Sequence, residues 1–259
     1  MTRGHWFRRP LVSVVIPTKD AGPQFQRTLE AIHAQAGGIR SEVIVVDSGS
    51  HDETLRLSRR YGVHIVSIPP ATFNHGAARN EGLRRARGEY AILLVQDAVP
   101  ADGHWMASLV EALRSDPRVA GAYSRHLGRP DSDYLSRYVA EFWHDHVGGR
   151  RVQEISDLAL FRSLPWSLQR DLCTFNNVSA IVRRSVWLEH PFPNIAYAED
   201  VAWAKEVLEA GHRLVYEPAS RVVHAHARPA AYELRRAYVD ARSVATLFPL
   251  PDDPLTVEQ

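Results

Sequence analysis

The stretch AILLVQDAVP, residues 91–100, decides the fold, because an unbroken apolar run ends directly in a polar pair that includes a carboxylate. Such a run is typical of a strand buried on both faces of a parallel sheet. Ligands of such sheets bind at the carboxyl ends of the strands. Asp97 follows this strand at a place where an acid adds little to packing. We therefore expect Asp97 to serve binding or chemistry.

Earlier segments repeat the pattern of a buried strand with polar residues at its end. The runs LVSVVIP at 11–17 and EVIVVD at 42–47 are rich in β-branched residues. Between them, apolar residues recur at the spacing of an amphipathic helix: Phe25, Leu29 and Ile32. A surface helix over 52–61 and a short strand from His64 follow. These segments predict βαβ units and a parallel sheet.

A helix over 76–87 and a strand over 90–95 complete the first half of the chain. Because the carboxyl ends of parallel strands share one edge of a sheet, the polar residues that follow these strands are expected together. They are Thr18, Asp20, Asp47, Gln96 and Asp97.

The second half is less regular and contains no linker rich in Ser or Gly, so we expect one compact unit. The predicted elements there are helices near 132–146 and 199–210 and strands near 178–182 and 213–216. The predicted divisions of the chain are an N-terminal tail at 1–10, halves at 11–127 and 128–230, and a C-terminal helix and tail at 231–259.

Composition narrows the class of protein. With 31 basic and 30 acidic residues the net charge is +1, which gives no electrostatic reason to expect nucleic acid as a partner. The single cysteine, Cys173, excludes an internal disulfide framework. No apolar run is long enough to span a bilayer and none follows the basic N-terminus, so we expect a cytoplasmic protein.

Contact with the inner face of a membrane stays open, because Trp6 and Phe7 lie among arginines near the N-terminus. The alternative is a frayed terminus. The helical pattern over 230–248 could pack on its own domain, pair with a second subunit or rest on a membrane. The oligomeric state is therefore left open.

Four segments, in this order between residues 11 and 228, resemble the motifs of family 2 glycosyltransferases with the GT-A fold: VSVVIPTKD, VIVVDSGSHDET, ARNEGLRRARGEYAILLVQDA and AEDVAWAKEVLEAGHRLVYEP. The QDA triplet resembles the rhamnosyltransferase-like members. The resemblance implies a Rossmann-like single α/β domain, with a mostly parallel central sheet and helices on both faces. It also implies inverting transfer of a sugar from a nucleotide-sugar donor, with dTDP-rhamnose as one candidate, to a hydroxyl of a glycan or glycolipid.

The resemblance assigns donor contacts to the strand ends and to the start of the ARN helix. Asp47 would bind the base or ribose, and the alternative is an Asx turn that caps the next helix. Thr18 and Asp20 could equally cap a helix. Arg79 or free helix amides would hold phosphate or sugar hydroxyls, unless this is an ordinary capped helix. The full predicted donor set is Pro17, Thr18, Asp20, Asp47, Ser48, Gly76, Arg79, Asn80 and Gln96.

Asp97 is the expected ligand of a divalent cation, Mg²⁺ or Mn²⁺. One protein carboxylate can suffice when the substrate supplies phosphate oxygens. The usual family pattern has two acids, whereas Gln96 and Asp97 offer one. His224 and His226 would face the same side of an extended segment and could complete the site. The alternative is a chance pair, since the chain has 13 histidines.

Asp200 is the expected catalytic base, because it follows Glu199 at the start of a helix, as in the family motif. A carboxylate there could take the proton of the acceptor hydroxyl, although acids at a helix start are also ordinary caps. Trp203 could stack on a sugar or belong to the core. The predicted acceptor set is Glu199, Trp203, Trp143, Asn176 and Asn177.

The sequence also bears on two other function classes. A nucleotidyltransferase would need a Gly-rich phosphate loop with Arg and Lys soon after the first strand, and PTKDAGPQ does not provide it. A carbohydrate-binding or scaffold protein with a decayed catalytic site is the remaining alternative, and the single acid of QDA motivates it. The ED pair favours the enzyme, because a binding module needs no base.

Overall fold

The computed structural model describes residues 10–129, 132, 134–224 and 230–248. Within these residues the strands are β1 (Val12–Thr18), β2 (Ser41–Asp47), β3 (His64–Ser67), β4 (Tyr90–Leu94), β5 (Val99–Pro100), β6 (Val119–Leu127), β7 (Arg151–Glu154), β8 (Ser179–Arg183) and β9 (Arg213–Val223). The helices are α1 (Gln24–His33), α2 (Thr54–Arg60), α3 (His75–Arg85), α4 (Trp105–Arg114), α5 (Tyr134–Val147), α6 (Leu158–Ser163), α7 (Trp166–Leu172), α8 (Arg184–Glu189), α9 (Glu199–Glu209) and α10 (Ala230–Leu247).

The described strands form one sheet in the order β3-β2-β1-β4-β8-β6-β9-β5, and β7 also pairs with β9. The first four are parallel, as the sequence predicts, with β1 at their centre. Strand β8 runs antiparallel between β4 and β6, and β6 and β9 are parallel to each other. The predicted α/β class is confirmed, and the structure adds that the second half of the sheet is mixed.

Helices cover both faces of the sheet, because its strands are apolar on both sides. Along β1, Val14 and Ile16 belong to the core cluster shared with α1 and α4, whereas Val15 belongs to the cluster shared with α3 and α9. This is the alternation of successive side chains along a strand. A Cβ on Gly82 would overlap the side chain of Val15, so α3 packs directly on the sheet.

Seven of the described elements are absent from the sequence-based expectations, namely β5, β6, β7, α4, α6, α7 and α8. Strand β6 contains Gly121 and Ser124, which interrupt the apolar run, and α4 follows the short strand β5. Strand β9 reaches Val223, well beyond the strand expected near 213–216, and includes the first three residues of the segment 221–228 that we expected to be extended. Its length matters, because its end carries His224 to the same edge of the sheet as Asp97.

Helix α10 packs on its own domain through its C-terminal part, where Val244 and Phe248 are buried in the core. No helix in the described part of the chain is long and apolar enough to cross a membrane. The predicted tails lie outside the described residues, except for Pro10 and the helix itself. Membrane contact and location in the cytoplasm stay predictions, and the oligomeric state stays open.

Candidate active site

The ends of β1 and β2 are locked together by Asp47. Its Oδ2 accepts from the backbone N–H groups of Gly49 and Ser50, each at 3.0 Å, and its Oδ1 accepts from the hydroxyls of Thr18 at 3.1 Å and Ser50 at 2.5 Å. The Ser48 hydroxyl donates to the Thr18 carbonyl at 3.1 Å. This is the Asx turn that the sequence left as the alternative. Asp47 and Ser48 are buried and line neither cavity described below, so their nucleotide contact stays a prediction.

Asp20 and Gln96 hold the loop after β1. Asp20 has a positive φ of 43° and accepts at 2.7 Å from the N–H of His51. The Gln96 amide pairs with the backbone of Lys19, accepting from its N–H at 2.9 Å and donating to its carbonyl at 3.1 Å. Gln96 faces a cavity, whereas Asp20 does not. The amide of Gln96 therefore joins β1 to β4 at the rim.

A cavity of about 480 Å³ lies beyond this rim. It gathers six of the predicted residues: Pro17, Thr18, Arg79, Gln96, Asp97 and His224. The Nε2 of His224 lies 3.6 Å from Oδ1 of Asp97. The N–H of His224 donates at 2.9 Å to the carbonyl of Leu127, which fixes the end of β9 against β6.

One carboxylate oxygen and one imidazole nitrogen at this spacing fit a divalent cation such as Mn²⁺ or Mg²⁺. Within the described ranges, no group of three or more His, Cys, Asp or Glu side chains is placed to hold an ion. A cation between Asp97 and His224 would therefore take its remaining ligands from phosphate and water. His226 lies outside the described residues.

The start of α3 is built by polar contacts within the protein. The Asn74 side chain accepts at 3.0 Å from the N–H of Ala77, which caps the helix. A Cβ on Gly76 would overlap the carbonyl oxygen of Pro193, so this glycine permits a contact within the chain. The Asn80 amide contacts the backbone of Phe192 and accepts at 2.8 Å from Trp187 Nε1.

Gly76 and Asn80 line neither cavity and are engaged by contacts within the chain, so their contact with the donor stays a prediction. Arg79, from the same turn of α3, does face the cavities.

Arg79 connects α3 to the start of α9. Its Nη1 lies 2.5 Å from Oε1 of Glu199, and both side chains are almost fully buried. Its Nη2 donates to the carbonyl of Asn177 at 3.4 Å, and the Asn177 Nδ2 faces the same Glu199 oxygen at 3.5 Å. The carboxylate of Glu199, next to Asp200 in the chain, therefore contacts both the guanidinium of Arg79 and the side-chain amide of Asn177.

Asp200 faces a second cavity of about 520 Å³. Its Oδ1 accepts from the N–H of Val201 at 2.9 Å, and its Oδ2 accepts from that of Asn177 at 3.4 Å. Burial, reinforced by the charge of Glu199, raises the pKa of Asp200 to about 6, although Arg79 and the two amides oppose the shift. A carboxyl with this pKa is poised to exchange a proton near neutral pH.

The backbone before Asp200 is strained. Ala198 has φ of 61° and ψ of 32°, a left-handed conformation that residues with a Cβ rarely adopt. It precedes the first residue of α9, and its side chain is buried against the core. Such strain persists only where the surroundings enforce it. Here it directs Glu199 toward Arg79 and Asp200 toward the cavity.

The two cavities adjoin along a shared wall, and together they are called the cleft. Residues that line both are His75, Arg79, Val95, Val178, Tyr197 and Arg236. Asp97 and His224 line one end of this cleft, and Asp200, Glu199, Asn176 and Asn177 line the other. The fold therefore places Asp97 and His224, which suit a cation, at one end of the cleft. It places Asp200, a carboxyl with a raised pKa, at the other end.

Trp203 is the clearest correction to the acceptor set. It is fully buried, and its Nε1 donates at 2.8 Å to the carbonyl of His190. Trp203 is therefore a core residue, as the alternative interpretation had it. Trp143 lies on α5, but its side chain is outside the described residues.

Sequence reasoning missed His126. It is buried beside His144, with ring centres 4.6 Å apart, and both line the cavity of Asp200. Burial, with the nearby imidazoles of His144 and His224, lowers the pKa of His126 well below its usual value. His126 is the penultimate residue of β6, a strand that the sequence did not reveal.

Helix α10 contributes a further missed face. Tyr232 and Arg236 line the cleft, as do Ala237 and Asp240. The Nε of Arg236 donates to the Tyr197 hydroxyl at 2.8 Å. The spacing of four residues between Tyr232, Arg236 and Asp240 is the signal that could have identified this face.

Comparisons with known proteins bear on the family of this chain. The model of Glycosyl transferase family 2 matches residues 13–177. The chain is 30% identical to the O-antigen chain rhamnosyltransferase RfbN of Salmonella typhimurium, over 88% of this chain and 70% of that protein. It is 26% identical to the O-antigen chain rhamnosyltransferase WbaN of Salmonella anatum, with the same coverage of each.

Solved structures show the fold. A mannosyltransferase from Pyrobaculum calidifontis, solved with GDP-Man and Mn²⁺, superposes with a TM-score of 0.63 at 23% identity over 89% of this chain and 62% of its own. Glucosyl-3-phosphoglycerate synthase from Mycobacterium tuberculosis superposes with a TM-score of 0.67 at 17% identity, over 94% and 80%. The predicted GT-A fold is confirmed. The family model covers more than half of the chain, and the chain therefore belongs to glycosyl transferase family 2.

Proposed function

We propose that this glycosyltransferase moves a sugar from a nucleoside diphosphate donor to a hydroxyl of a glycan or glycolipid, with inversion at the anomeric carbon. The observation that carries the proposal is the pair of adjoining cavities, one lined by Asp97 and His224 and the other by Asp200, with Arg79 in the wall of both. The donor to test first is dTDP-rhamnose, because two relatives are named as rhamnosyltransferases.

The end of the cleft with Asp97 and His224 suits the diphosphate. These two side chains would hold a divalent cation, Mg²⁺ or Mn²⁺, which when bound neutralises charge on the diphosphate. Arg79 and Arg236 line the same cavity, as does Lys19, whose Nζ is oriented by the Gly49 carbonyl at 2.8 Å. Positive charge here favours a leaving group that gains negative charge.

The other end suits the acceptor. The ionised Asp200 carboxylate takes the proton of the acceptor hydroxyl as its oxygen attacks the anomeric carbon. A bond forms between that oxygen and the carbon while the bond to the diphosphate breaks, and the electron pair leaves with the diphosphate. Attack from the face opposite the leaving group inverts the configuration.

Burial gives Asp200 a suitable basicity. A pKa of about 6 makes the carboxylate more basic than an ordinary aspartate, while it stays mostly ionised at neutral pH. The short contact of Asp200 Oδ1 with the N–H of Val201 fixes its orientation. Glu199 is paired with Arg79, and its negative charge raises the pKa of Asp200. In this scheme Glu199 is a positioning residue.

The test is release of nucleoside diphosphate from dTDP-rhamnose, GDP-mannose and UDP-glucose, each with and without Mn²⁺. We expect cation-dependent turnover with one donor, loss of turnover in Asp200→Asn, and unchanged turnover in Asp102→Asn. Asp102 is a matched control, since it forms an exposed ion pair with Arg221. Full activity of Asp200→Asn would remove Asp200 from the mechanism. Donor binding without turnover in the wild type would favour the carbohydrate-binding alternative.

A further inference from the structure

Three buried polar atoms on the cleft wall have no hydrogen-bond partner. They are Nε of Arg79, Nε2 of His126 and Oδ1 of Asn177, and all three residues line the cavity of Asp200. Buried polar groups are nearly always paired, because leaving one unpaired costs stability. Three such atoms around one cavity indicate the positions where a polar ligand completes the site.

The orientation of the Asn177 amide restricts the chemistry of that ligand. Its Nδ2 faces the carboxylate of Glu199 at 3.5 Å, and the reverse orientation would place two oxygens against each other. The unpaired atom is therefore the amide oxygen, which can only accept a hydrogen bond. The ligand must donate a hydrogen at this point.

His126 adds a second contact of flexible polarity. It lies at the end of β6, is 7% exposed, and has ring neighbours on two sides, His144 at 4.6 Å and His224 at 6.0 Å between ring centres. These neighbours fix the plane of the ring. Its Nε2 donates or accepts according to the tautomer, so the partner must be able to do either.

A hydroxyl group satisfies both requirements, and a phosphate does not. Phosphate diester or diphosphate oxygens only accept at neutral pH, so they would oppose the Asn177 oxygen. A sugar hydroxyl donates one hydrogen bond and accepts others. The cavity of Asp200 is therefore suited to a carbohydrate rather than to the diphosphate.

We propose that His126 is a specificity-determining residue for the acceptor, and that its Nε2 exchanges a hydrogen bond with one hydroxyl of the acceptor sugar while Asn177 Oδ1 accepts from another. The proposal rests on the proposed function, because it takes the sugar beside Asp200 as the acceptor. It goes beyond the base and the cation site, since it assigns acceptor recognition to a residue on a different strand.

The test measures binding of free sugars by NMR titration in the absence of any donor. The probes are the methyl α-glycosides of L-rhamnose, D-mannose, D-galactose and D-glucose. We expect at least one to bind the wild type, with affinity about tenfold lower in His126→Leu. The variant His126→Gln, which keeps a hydrogen-bonding group, should bind within about threefold of the wild type. His212→Leu is the control, because His212 lies outside both cavities.

A second measurement tests which hydroxyl of the sugar contacts His126. Each deoxy analogue of the best glycoside is titrated into the wild type and His126→Leu. For one position, loss of the hydroxyl should weaken binding to the wild type about tenfold and binding to His126→Leu by less than about twofold, as in a double-mutant cycle. If His126 had only a structural role, His126→Leu would weaken binding of the glycoside and of every deoxy analogue by the same factor, and no coupling would be measured.

Several results would overturn the proposal. They are binding of none of the glycosides to the wild type, equal affinities of the wild type and His126→Leu, and a glycoside-binding defect in His126→Gln as large as that in His126→Leu. Binding of pyrophosphate that depends on His126 would instead assign the residue to the donor. Thermal unfolding of each variant verifies that it is folded.

The outcome is separable from that of the proposed function. Coupling to one hydroxyl without any transfer activity would retain the binding inference and remove the enzyme mechanism. If transfer depends on Asp200 but glycoside binding is unchanged in His126→Leu, the enzyme mechanism would be retained and the binding inference removed.

Discussion

Arg79 and Glu199 form a buried ion pair, with Nη1 and Oε1 2.5 Å apart, although 120 residues separate them in the chain. The pair joins the start of α3 to the start of α9 directly beside Asp200. One buried cation therefore faces two adjacent carboxyls, and its charge offsets both. The proton affinity of Asp200 depends on this arrangement as well as on burial.

Asp200→Asn should lower kcat by about 10²- to 10⁴-fold, the range for loss of a general base. Donor binding should stay within about threefold, because Asp97 and His224 at the far end of the cleft are unchanged. Calorimetric titration of the donor nucleotide and steady-state rates check the two parts. A loss of donor binding as large as the loss of turnover would contradict this separation.

Activity should fall as the pH drops through about 6, because protonation of Asp200 removes the base. The carboxylate is the active form, so the acidic limb of the plot of kcat/KM against pH should have a midpoint near 6. The same plot for Asp200→Asn should lack this limb in its residual activity. A midpoint near 4 in the wild type would contradict the raised pKa.

Asp200→Asn should also make the protein more stable above pH 6. The folded-state pKa is raised above the ordinary value of 3.8, so the ionised carboxylate costs folding energy once the pH exceeds both values. Removing that charge should raise the free energy of unfolding by about 1–3 kcal/mol at pH 8. The gain should shrink between pH 6 and pH 4 and vanish below. Urea unfolding at several pH values measures it.

Glu199→Gln and Arg79→Met should move the acidic limb of the activity profile in opposite directions. Loss of the Glu199 charge removes a group that raises the pKa of Asp200, so the limb moves to lower pH. Loss of the Arg79 charge removes a group that lowers that pKa, so the limb moves to higher pH.

Both variants should also lose about 3–5 kcal/mol of stability, because each leaves a buried partner unpaired. Glu81→Gln and Arg84→Met are the controls. They break an exposed pair and should change the free energy of unfolding by less than about 1 kcal/mol. Shifts of the limb in the same direction for Glu199→Gln and Arg79→Met would contradict the electrostatic account.

Gly76→Ala should destabilise the protein by about 1–3 kcal/mol, because the added Cβ would overlap the Pro193 carbonyl. Gly149→Ala is the control, since its Cβ would meet no atom within 4 Å. It should change stability by less than about 0.5 kcal/mol. Chemical denaturation compares the two. Equal stabilities would show that the start of α3 can move away from Pro193.

Much of the first half of the fold could be predicted, because its strands and helices are coded locally. Buried parallel strands read as continuous β-branched runs, and α1 shows its apolar face at helical spacing. The segments of β1, β2 and β4 and of α3 match the expected positions closely. Strand β6, at the end of this half, was missed, because small and polar residues interrupt its apolar pattern and are buried only through contacts with neighbouring strands.

The sequence predicted that polar residues gather at the carboxyl ends of the strands. It could not show which of them face the cleft and which are bound within the protein. Asp47 and Gln96 follow strands in the same way, yet only Gln96 faces the cleft. The carboxylate of Asp47 accepts hydrogen bonds from Thr18, at the end of β1, and from the turn after β2. The amide of Asn80 donates to the carbonyl of Phe192, 112 residues away in the chain. Periodicity cannot report such contacts, because they depend on which distant segments meet.

The sequence by itself determined the α/β class, the parallel strands of the first half and the family resemblance, and it identified Asp97 and Asp200 as the acids of interest. Only the tertiary structure decided that both face one cleft, that Arg79 neutralises Glu199, that Trp203 is core, and that His126 and α10 complete the wall. The physical reason is that element type follows from local spacing of apolar residues. The surroundings of a side chain follow from packing between segments far apart in the chain.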